Sequence, residues 1–312
     1  MKYILKKTLM MLITLIVVSM LVFLAFNIIP GDPAARRLGT EATPQQLAAL
    51  RKEMGLTDPL FVRYIRWATG FIHGDLGQSY SYGSVSKLLI DKIPITISMA
   101  LMAFLIMVVV SIPLGIFTAR HQGSVVDHVL LVVDQVVMAI PPFFSGILLT
   151  LIFGLTFRLF VPGSFVSWKT DMRGFISYLI FPAIAVALPK IAMSVKLLRG
   201  SVIEEMRKDY TRTAYSRGNT VRGVLYLHVL KNALIPVITF MGMALADMVS
   251  GSIVIEQVFS IPGLGRMLLV SINNRDYPVV QAIIMGVAIL VMIVNWMVDI
   301  IYRIIDPRIE SL

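Results

Sequence analysis

Three charged side chains interrupt stretches that are otherwise apolar: Asp134, Lys190 and Asp247. An ionisable group at bilayer depth is expensive, so it marks a proton relay, an aqueous path or a structural pair. Asp247 is the deepest of the three and is the candidate for lining a pathway. Asp134 and Lys190 fall within a few turns of one end of their segments, where they also read as paired or snorkelling groups. The four histidines, His73, His121, His128 and His228, do not cluster at metal-ligand spacing. The sequence has no Gly-x-x-x-x-Gly-Lys-Ser/Thr phosphate loop, no Gly-x-Ser-x-Gly elbow and no His-Glu-x-x-His zinc motif. An intramembrane aspartate pair would have only Asp134 and Asp247 to draw on, and neither lies in a recognisable motif. The chain contains no cysteine, which removes disulfides, thiolate metal sites and thiol nucleophiles. These residues predict no catalytic centre, no metal site and no cofactor held by this chain.

The elements that position these groups follow from composition. The 312 residues are 57% hydrophobic and 15% charged, against about 25% charged in soluble domains. An all-α, multi-pass membrane protein is expected. The formal charge of +10 is read as basic loops beside spans and anionic lipid, with no nucleic acid as partner. Six apolar segments are long enough to cross a bilayer. They lie at 8–31, 93–119, within 125–157, and at about 175–195, 233–255 and 279–298. The first is longer than the apolar region of a signal peptide and is read as a retained span. Counted over short loops, one side carries 14 Lys and Arg and the other 5, with 8 more in the long segment 30–93 discounted. This predicts both termini inside. Prolines at Pro141, Pro142, Pro182, Pro189 and Pro236 are expected to break or kink their helices.

Segment 32–92 reads as folded helices outside. Thr43, Pro44 and Gln46 have capping-box spacing, Leu47, Leu50 and Met54 share a face, and Gly55 closes the helix. A second helix from Asp58-Pro59 has an apolar face of Phe61, Ile65, Trp67 and Ala68, expected to lie on the membrane surface or over the spans. The most unusual segment is 207–236, basic and polar between two apolar ones, with Gly218 joining two short helices. Tyr210, rimmed by Arg207, Lys208, Arg212 and Arg217, suits insertion into a protein groove. Lipid binding and control of insertion account for the same basic residues, and both can hold.

The chain resembles the B-type permease subunits of ABC importers of the dipeptide, oligopeptide and nickel group. The resemblance runs through IIPGDPA (28–34), GLTDPLFVRYIRWATGFIHGDLGQSY (55–80), DYTRTAYSRG (209–218), HVLKNALIPVIT (228–239), IEQVFSIPGLGRMLLVSINNRDYPVVQA (255–282) and DPR (306–308). Arg212, Thr213 and Ala214 stand where the wider family has Glu-Ala-Ala, four residues before the glycine. His228, Val229, Leu230 and Lys231 replace its Ile-x-Leu-Pro. This departure is similar to that of the peptide-type subgroup.

The resemblance implies a type I importer permease fold in a bacterial inner membrane. Residues 1–31 form the N-terminus and first span, 32–92 the extracytoplasmic segment, 93–306 the five-span core with a coupling loop at about 196–232, and 307–312 a cytoplasmic tail. It further implies a second permease subunit, two cytoplasmic ATPase subunits that bind ATP and Mg, and an extracytoplasmic binding protein. Asp209, Tyr210, Arg212, Thr213, Ala214, Arg217 and Gly218 would dock an ATPase. Phe259, Pro262, Gly263, Gly265 and Arg266 would face the binding protein. Asp247, Pro141 and Pro142 would line the pathway or pack it. A peptide is the expected substrate, with nickel or a metal chelate the alternative within the group. A proton-coupled secondary carrier is the alternative from another class; it predicts titratable groups at the midplane and internal repeats, of which none is evident.

Overall fold

The computed structural model describes residues 2–28, 33–38 and 42–305. The quoted DPR motif, the tail 307–312 and most of IIPGDPA lie outside them. Helix α1 (Lys2–Ile28) is followed by α2 (Pro33–Leu38), α3 (Pro44–Glu53) and α4 (Leu60–Ile72). A two-stranded antiparallel hairpin, β1 (Gln78–Ser79) and β2 (Gly83–Ser84), leads into α5 (Val85–Ile90) and α6 (Ile93–Arg120). Then come α7 (Val125–Ala139), α8 (Pro142–Leu149) and a π-helical turn at Thr150–Thr156. Helix α9 (Met172–Met206) and two short helices, α10 (Asp209–Ser216) and α11 (Val221–Gly223), precede a second π segment at Val224–Val229. The chain continues through α12 (Leu230–Val258), α13 (Leu264–Asn273) and α14 (Tyr277–Ile305).

Among the described residues, five helical stretches are long and apolar enough to cross a membrane, and six if the bent pair Val125–Ala139 and Pro142–Thr156 counts as one span. The bend is 104°, and its cause is local. A residue before proline is pushed out of the helical region. With two prolines in succession, Ile140 (ψ 121°) and Pro141 (ψ 143°) are both extended, and the helix restarts in a new direction at Pro142. The other expected breaks do not occur. Pro182 and Pro189 lie inside α9 and Pro236 inside α12, each within an unbroken helix. A single proline removes one bond, which a packed membrane helix tolerates. The spans also overrun their expected limits, because α9 and α12 extend beyond the apolar core toward the basic loop.

The core is the packing of α6, α9 and α12. Ala100, Ala103, Ala183, Ala185, Ala187 and Ala244 are buried there with Met99, Met107 and Leu179. Small residues let membrane helices approach closely, where dispersion rather than water release drives association. At Gly115 a Cβ would lie 2.9 Å from Leu198, so α6 and α9 touch there through the missing side chain. Helix α1 is peripheral. It joins α14 through Lys7–Asp299 (2.8 Å) and a Trp296 Nε1 hydrogen bond to Thr8 (3.0 Å).

In the segment after α1, the Thr43 capping box forms as expected, with Thr43 Oγ1 accepting from Gln46 N–H at 3.3 Å and Gln46 accepting from Thr43 N–H at 2.9 Å. Gly55 closes α3 at φ +65°. The apolar face of α4 departs from expectation. Trp67, with Tyr64 and Phe71, turns inward, while Phe61 and Ile65 are left exposed. The aromatics face in because Phe23 of α1 offers ring contacts, at 5.5 Å to Tyr64 and 5.7 Å to Trp67.

The base of α7 is locked to α9. Asp127, 1% exposed, accepts two hydrogen bonds from Arg199 at 2.7 Å and one from Gly123 N–H at 2.9 Å. Removing one partner of a buried pair strands the other charge, at about 3 kcal/mol. Asp127→Ala is expected to lower the thermal midpoint of the detergent-purified protein accordingly. Lys169→Ala, at the exposed Lys169–Asp91 pair, is expected to cost under about 1 kcal/mol; equal losses would show that the Asp127–Arg199 lock is unimportant.

Candidate functional site

At one end of the bundle the basic loop is built as a supported platform. Thr211, fully buried, donates to the carbonyls of Met206 (2.9 Å) and Lys208 (2.6 Å) at the C-terminus of α9. Ala214 is buried one turn on. Tyr210 donates to Glu205 Oε2 at 2.6 Å and accepts from Asn232 Nδ2 of α12 at 3.3 Å. Burial, then the adjacent Glu205 carboxylate, raises its phenol above the ordinary tyrosine range, so it remains a donor. Helix α10 ends in a Schellman turn: Gly218 N–H to Tyr215 O at 2.9 Å and Asn219 N–H to Ala214 O at 3.3 Å, with Gly218 at φ +83°. Thr220 then caps α11 through Gly223 N–H at 3.2 Å. The short helix α10 and the turn at Gly218 are what the sequence predicts; the second helix is not short, because it continues through the π segment into α12 as one stretch, Val221–Val258.

The exposed side of this platform is Asp209, Arg212, Thr213, Tyr215, Ser216 and Arg217 with Gly218, Val221 and Arg222. Tyr210 and Ala214 lie on the opposite side. They hold α10 against α9 and α12, and the aromatic ring on the open face is Tyr215. Sequence reasoning chose Tyr210 because it lies among basic residues, but its spacing from Glu205 and Asn232 turns it inward.

At the other end, segment 259–266 is an internal pin. Glu256, fully buried, accepts from Thr96 of α6, from Gly265 N–H at 2.6 Å and from Arg266 N–H at 3.2 Å. Thr96 Oγ1 in turn accepts from Leu264 N–H at 3.0 Å. The first turn of α13 has Gly263 at its N-cap, with no side chain to offer, and Glu256 supplies the missing acceptor from α12. A Cβ at Gly263 would lie 2.3 Å from that carboxylate, and one at Gly265 would lie 2.3 Å from Ile253 Cα. Tyr178 of α9 donates to Phe259 O at 2.5 Å, and Arg266 to Ser260 O at 2.8 Å.

Phe259, Gly263 and Gly265 are therefore buried, contrary to a role as contact residues, because the two glycines exist to let the turn close on Glu256. Pro262 is half-buried and lines a cleft of about 210 Å³ with Lys92, Ile95, Phe165, Trp168 and Lys169. Asp276, also fully buried, holds the hairpin through Ser79 and Tyr80 N–H (3.2 Å). Glu256, Thr96 and Asp276 were missed as functional positions. The signal available was an acidic residue seven positions before a Gly-x-Gly turn.

Within the spans, Asp247 and Lys190 form an ion pair at 2.6 Å, with the Asp247 side chain 64% exposed. Asp134 stands apart from them with one buried carboxylate oxygen lacking a hydrogen bond. Pro141 and Pro142 define the break in the third span.

A membrane-spanning α-helical bundle with a basic helical loop at one end has the architecture of a transport permease. The family described as binding-protein-dependent transport system inner membrane component matches residues 111–311, and its N-terminal counterpart matches 1–100. The chain belongs to this family and is a multi-pass bacterial inner-membrane permease subunit with the type I ABC importer fold. It is 33% identical over 309 residues to a probable peptide ABC transporter permease protein, y4tP, of Sinorhizobium fredii, covering 99% of each chain. It is 33% identical over 312 residues to the oligopeptide transport system permease protein AppB of Bacillus subtilis, again 99% of each. The dipeptide transport system permease protein DppB of Escherichia coli K12 is 31% identical over 335 residues, covering 99% of this chain and 98% of the relative.

Glu256→Ala strands three donors in the interior and is expected to destabilise the protein by about 3 kcal/mol or more, read as a lowered thermal midpoint in detergent. Gly265→Ala is expected to do the same through its clash with Ile253, and a wild-type midpoint in both would refute the pin. Gly218→Ala is expected to weaken the end of α10 by about 1 kcal/mol, read as faster amide exchange over 209–219.

Proposed function

We propose that this chain forms half of the translocation pathway of an ATP-driven, binding-protein-dependent peptide importer. A second, related permease supplies the other half. Two cytoplasmic ATPase subunits bind ATP and Mg, and this chain binds neither. The relatives named for oligopeptide and dipeptide transport support a peptide substrate; nothing favours nickel or a metal chelate. Both termini lie on the cytoplasmic side with the α10 platform, following the Lys and Arg asymmetry. The structural observation that carries the reading is the platform itself. Its exposed face of Arg212, Tyr215 and Arg217 stands on buried Thr211, Ala214 and half-buried Tyr210, so a force on it passes to α9 and α12 together. An ATPase groove closing on α10 would thereby rock both helices. The cleft around Pro262, with Lys92, Trp168 and Lys169 on its rim, is the surface this chain offers the extracytoplasmic binding protein.

Proton coupling fares worse. Asp247 is paired with Lys190 in a fixed geometry, and relays need a group free to exchange its proton. Co-purification of the tagged chain, with ATPase activity measured against peptide-loaded binding protein, tests the assignment. Wild type is expected to bring down a second permease and ATPase subunits. Arg212→Glu with Tyr215→Ala is expected to cut substrate-stimulated ATP hydrolysis at least tenfold while the chain stays folded. A chain that purifies alone and transports without ATP, losing activity in Asp247→Asn, would replace this reading with the carrier.

A further inference from the structure

Helix α4 has two apolar faces, and only one is covered. Tyr64, Trp67 and Phe71, at i, i+3 and i+7, pack toward α1. Phe61, Ile65 and Ile72, at i, i+4 and i+11, form a second stripe that is left exposed; Phe61 is 73% and Ile72 81% exposed. Arg63 and Arg66 lie on the remaining side, with Arg66 paired to Asp58 at 2.7 Å. A helix standing in water above the membrane does not keep such a stripe bare.

The depth of α4 is recorded by what it touches. The apolar part of α1, from Thr8 to Ile28, carries no charge. It spans about 30 Å at 1.5 Å per residue, which is the thickness of the hydrocarbon core. Tyr64 shares a hydrogen bond of 2.8 Å with Ser19, and both Tyr64 and Trp67 pack on Phe23. Phe23 lies five residues inside the end of α1 and Ser19 nine, roughly 8 and 13 Å below it. The Ser19–Tyr64 bond also satisfies two hydroxyls where no water is available.

The bare stripe continues onto a surface already assigned to lipid. Ile13, Ile16, Val17, Met20 and Leu21 of α1 are all exposed, and α1 is long and apolar enough to be a membrane span and is largely unburied. Where the two helices meet, an open cleft of about 100 Å³ is lined by Met20, Phe23, Leu24, Leu60, Phe61 and Tyr64. Its walls are apolar apart from the Tyr64 hydroxyl, which Ser19 occupies.

We propose that α4 is embedded among the acyl chains of one leaflet, with Phe61, Ile65 and Ile72 facing lipid and an acyl chain filling the α1–α4 cleft. The segment after the first span is then an intramembrane brace for α1 before it is an external domain. This inference rests on the chain crossing a membrane and is independent of which solute it carries.

The absence of cysteine makes the test direct. Single replacements Phe61→Cys, Ile65→Cys and Leu24→Cys in the full chain, within its complex, are spin-labelled in phosphatidylglycerol/phosphatidylethanolamine vesicles. Collisions with oxygen, which concentrates in lipid, are compared with those of a water-soluble nickel chelate. Ile16→Cys serves as the lipid reference and Asp75→Cys as the aqueous one. The expected result is oxygen accessibility matching Ile16→Cys and nickel accessibility at least fivefold below Asp75→Cys at all three positions. Nickel access equal to Asp75→Cys would place α4 in water. Labels shielded from both reagents would mean that a protein subunit covers the stripe. Either result overturns the proposal, and neither bears on ATP-driven transport, which is read separately.

Discussion

The arrangement depends on one carboxylate that has been taken out of water and surrounded by donors. Glu256 sits at the end of α12, accepts from α6 through Thr96, and caps α13 through Gly265 and Arg266. Burying a carboxylate without partners is prohibitive, so the two elements that donate to it, α6 and α13, are fixed to α12. The glycines at 263 and 265 are a consequence: the backbone must approach the carboxylate and Ile253 more closely than a Cβ allows. Tyr178 extends the same junction to α9 by reaching the Phe259 carbonyl. The end of the molecule opposite the basic platform is thus a single rigid joint made from four elements.

That joint gives the platform something to act against. Helix α9 is 35 residues long, about 52 Å at 1.5 Å per residue. It carries Tyr178 near one end and Glu205 near the other. A displacement of α10 enters α9 through Thr211 and Tyr210 and enters α12 through Asn232. Because α9 and α12 are pinned to the same joint at the far end, the proposed docking force on α10 would act on both helices together. Besides the π turn at Thr150–Thr156, two further sites among the described residues depart from regular helix. The π segment at Val224–Val229 lies where α12 leaves the platform, and the break at Pro141-Pro142 frees the third span from following α9 along its whole length. Such irregularities recur at functional hinges.

Much of this was legible in the residues. The capping box at Thr43, the Gly55 and Gly218 turns and the basic loop all carry local signals, because caps and left-handed turns are decided by residues within four positions of one another. The Pro141-Pro142 break is local for the same reason. The orientation of Tyr210 and the burial of Phe259 were not legible, since both depend on partners 22 and 81 positions away, at Asn232 and Tyr178. The inward face of α4 was misjudged on the same grounds. Periodicity shows that a helix has an apolar arc, but which half of a wide arc is covered depends on Phe23 of another helix. Single prolines do not interrupt α9 or α12; the sequence shows the lost donor and not the packing neighbours that keep the helix continuous.

The intramembrane pair Lys190–Asp247 shows why charge at depth is weak evidence for chemistry until its partner is known. Read singly, Asp247 is a relay candidate. At 2.6 Å from Lys190 it is one half of an ion pair that joins α12 to α9. The pair is nevertheless open on one side, with the Asp247 side chain 64% exposed, and the exposed positions near it on α12 are Met243, Ser250, Gly251 and Val254. A chain that leaves a dipole and a hydroxyl uncovered at mid-span requires something polar opposite, either water or a second subunit. This open side is consistent with the proposal that the chain supplies half of a pathway. The outer face of α1 is apolar, and the side left open is the one that carries the paired charge.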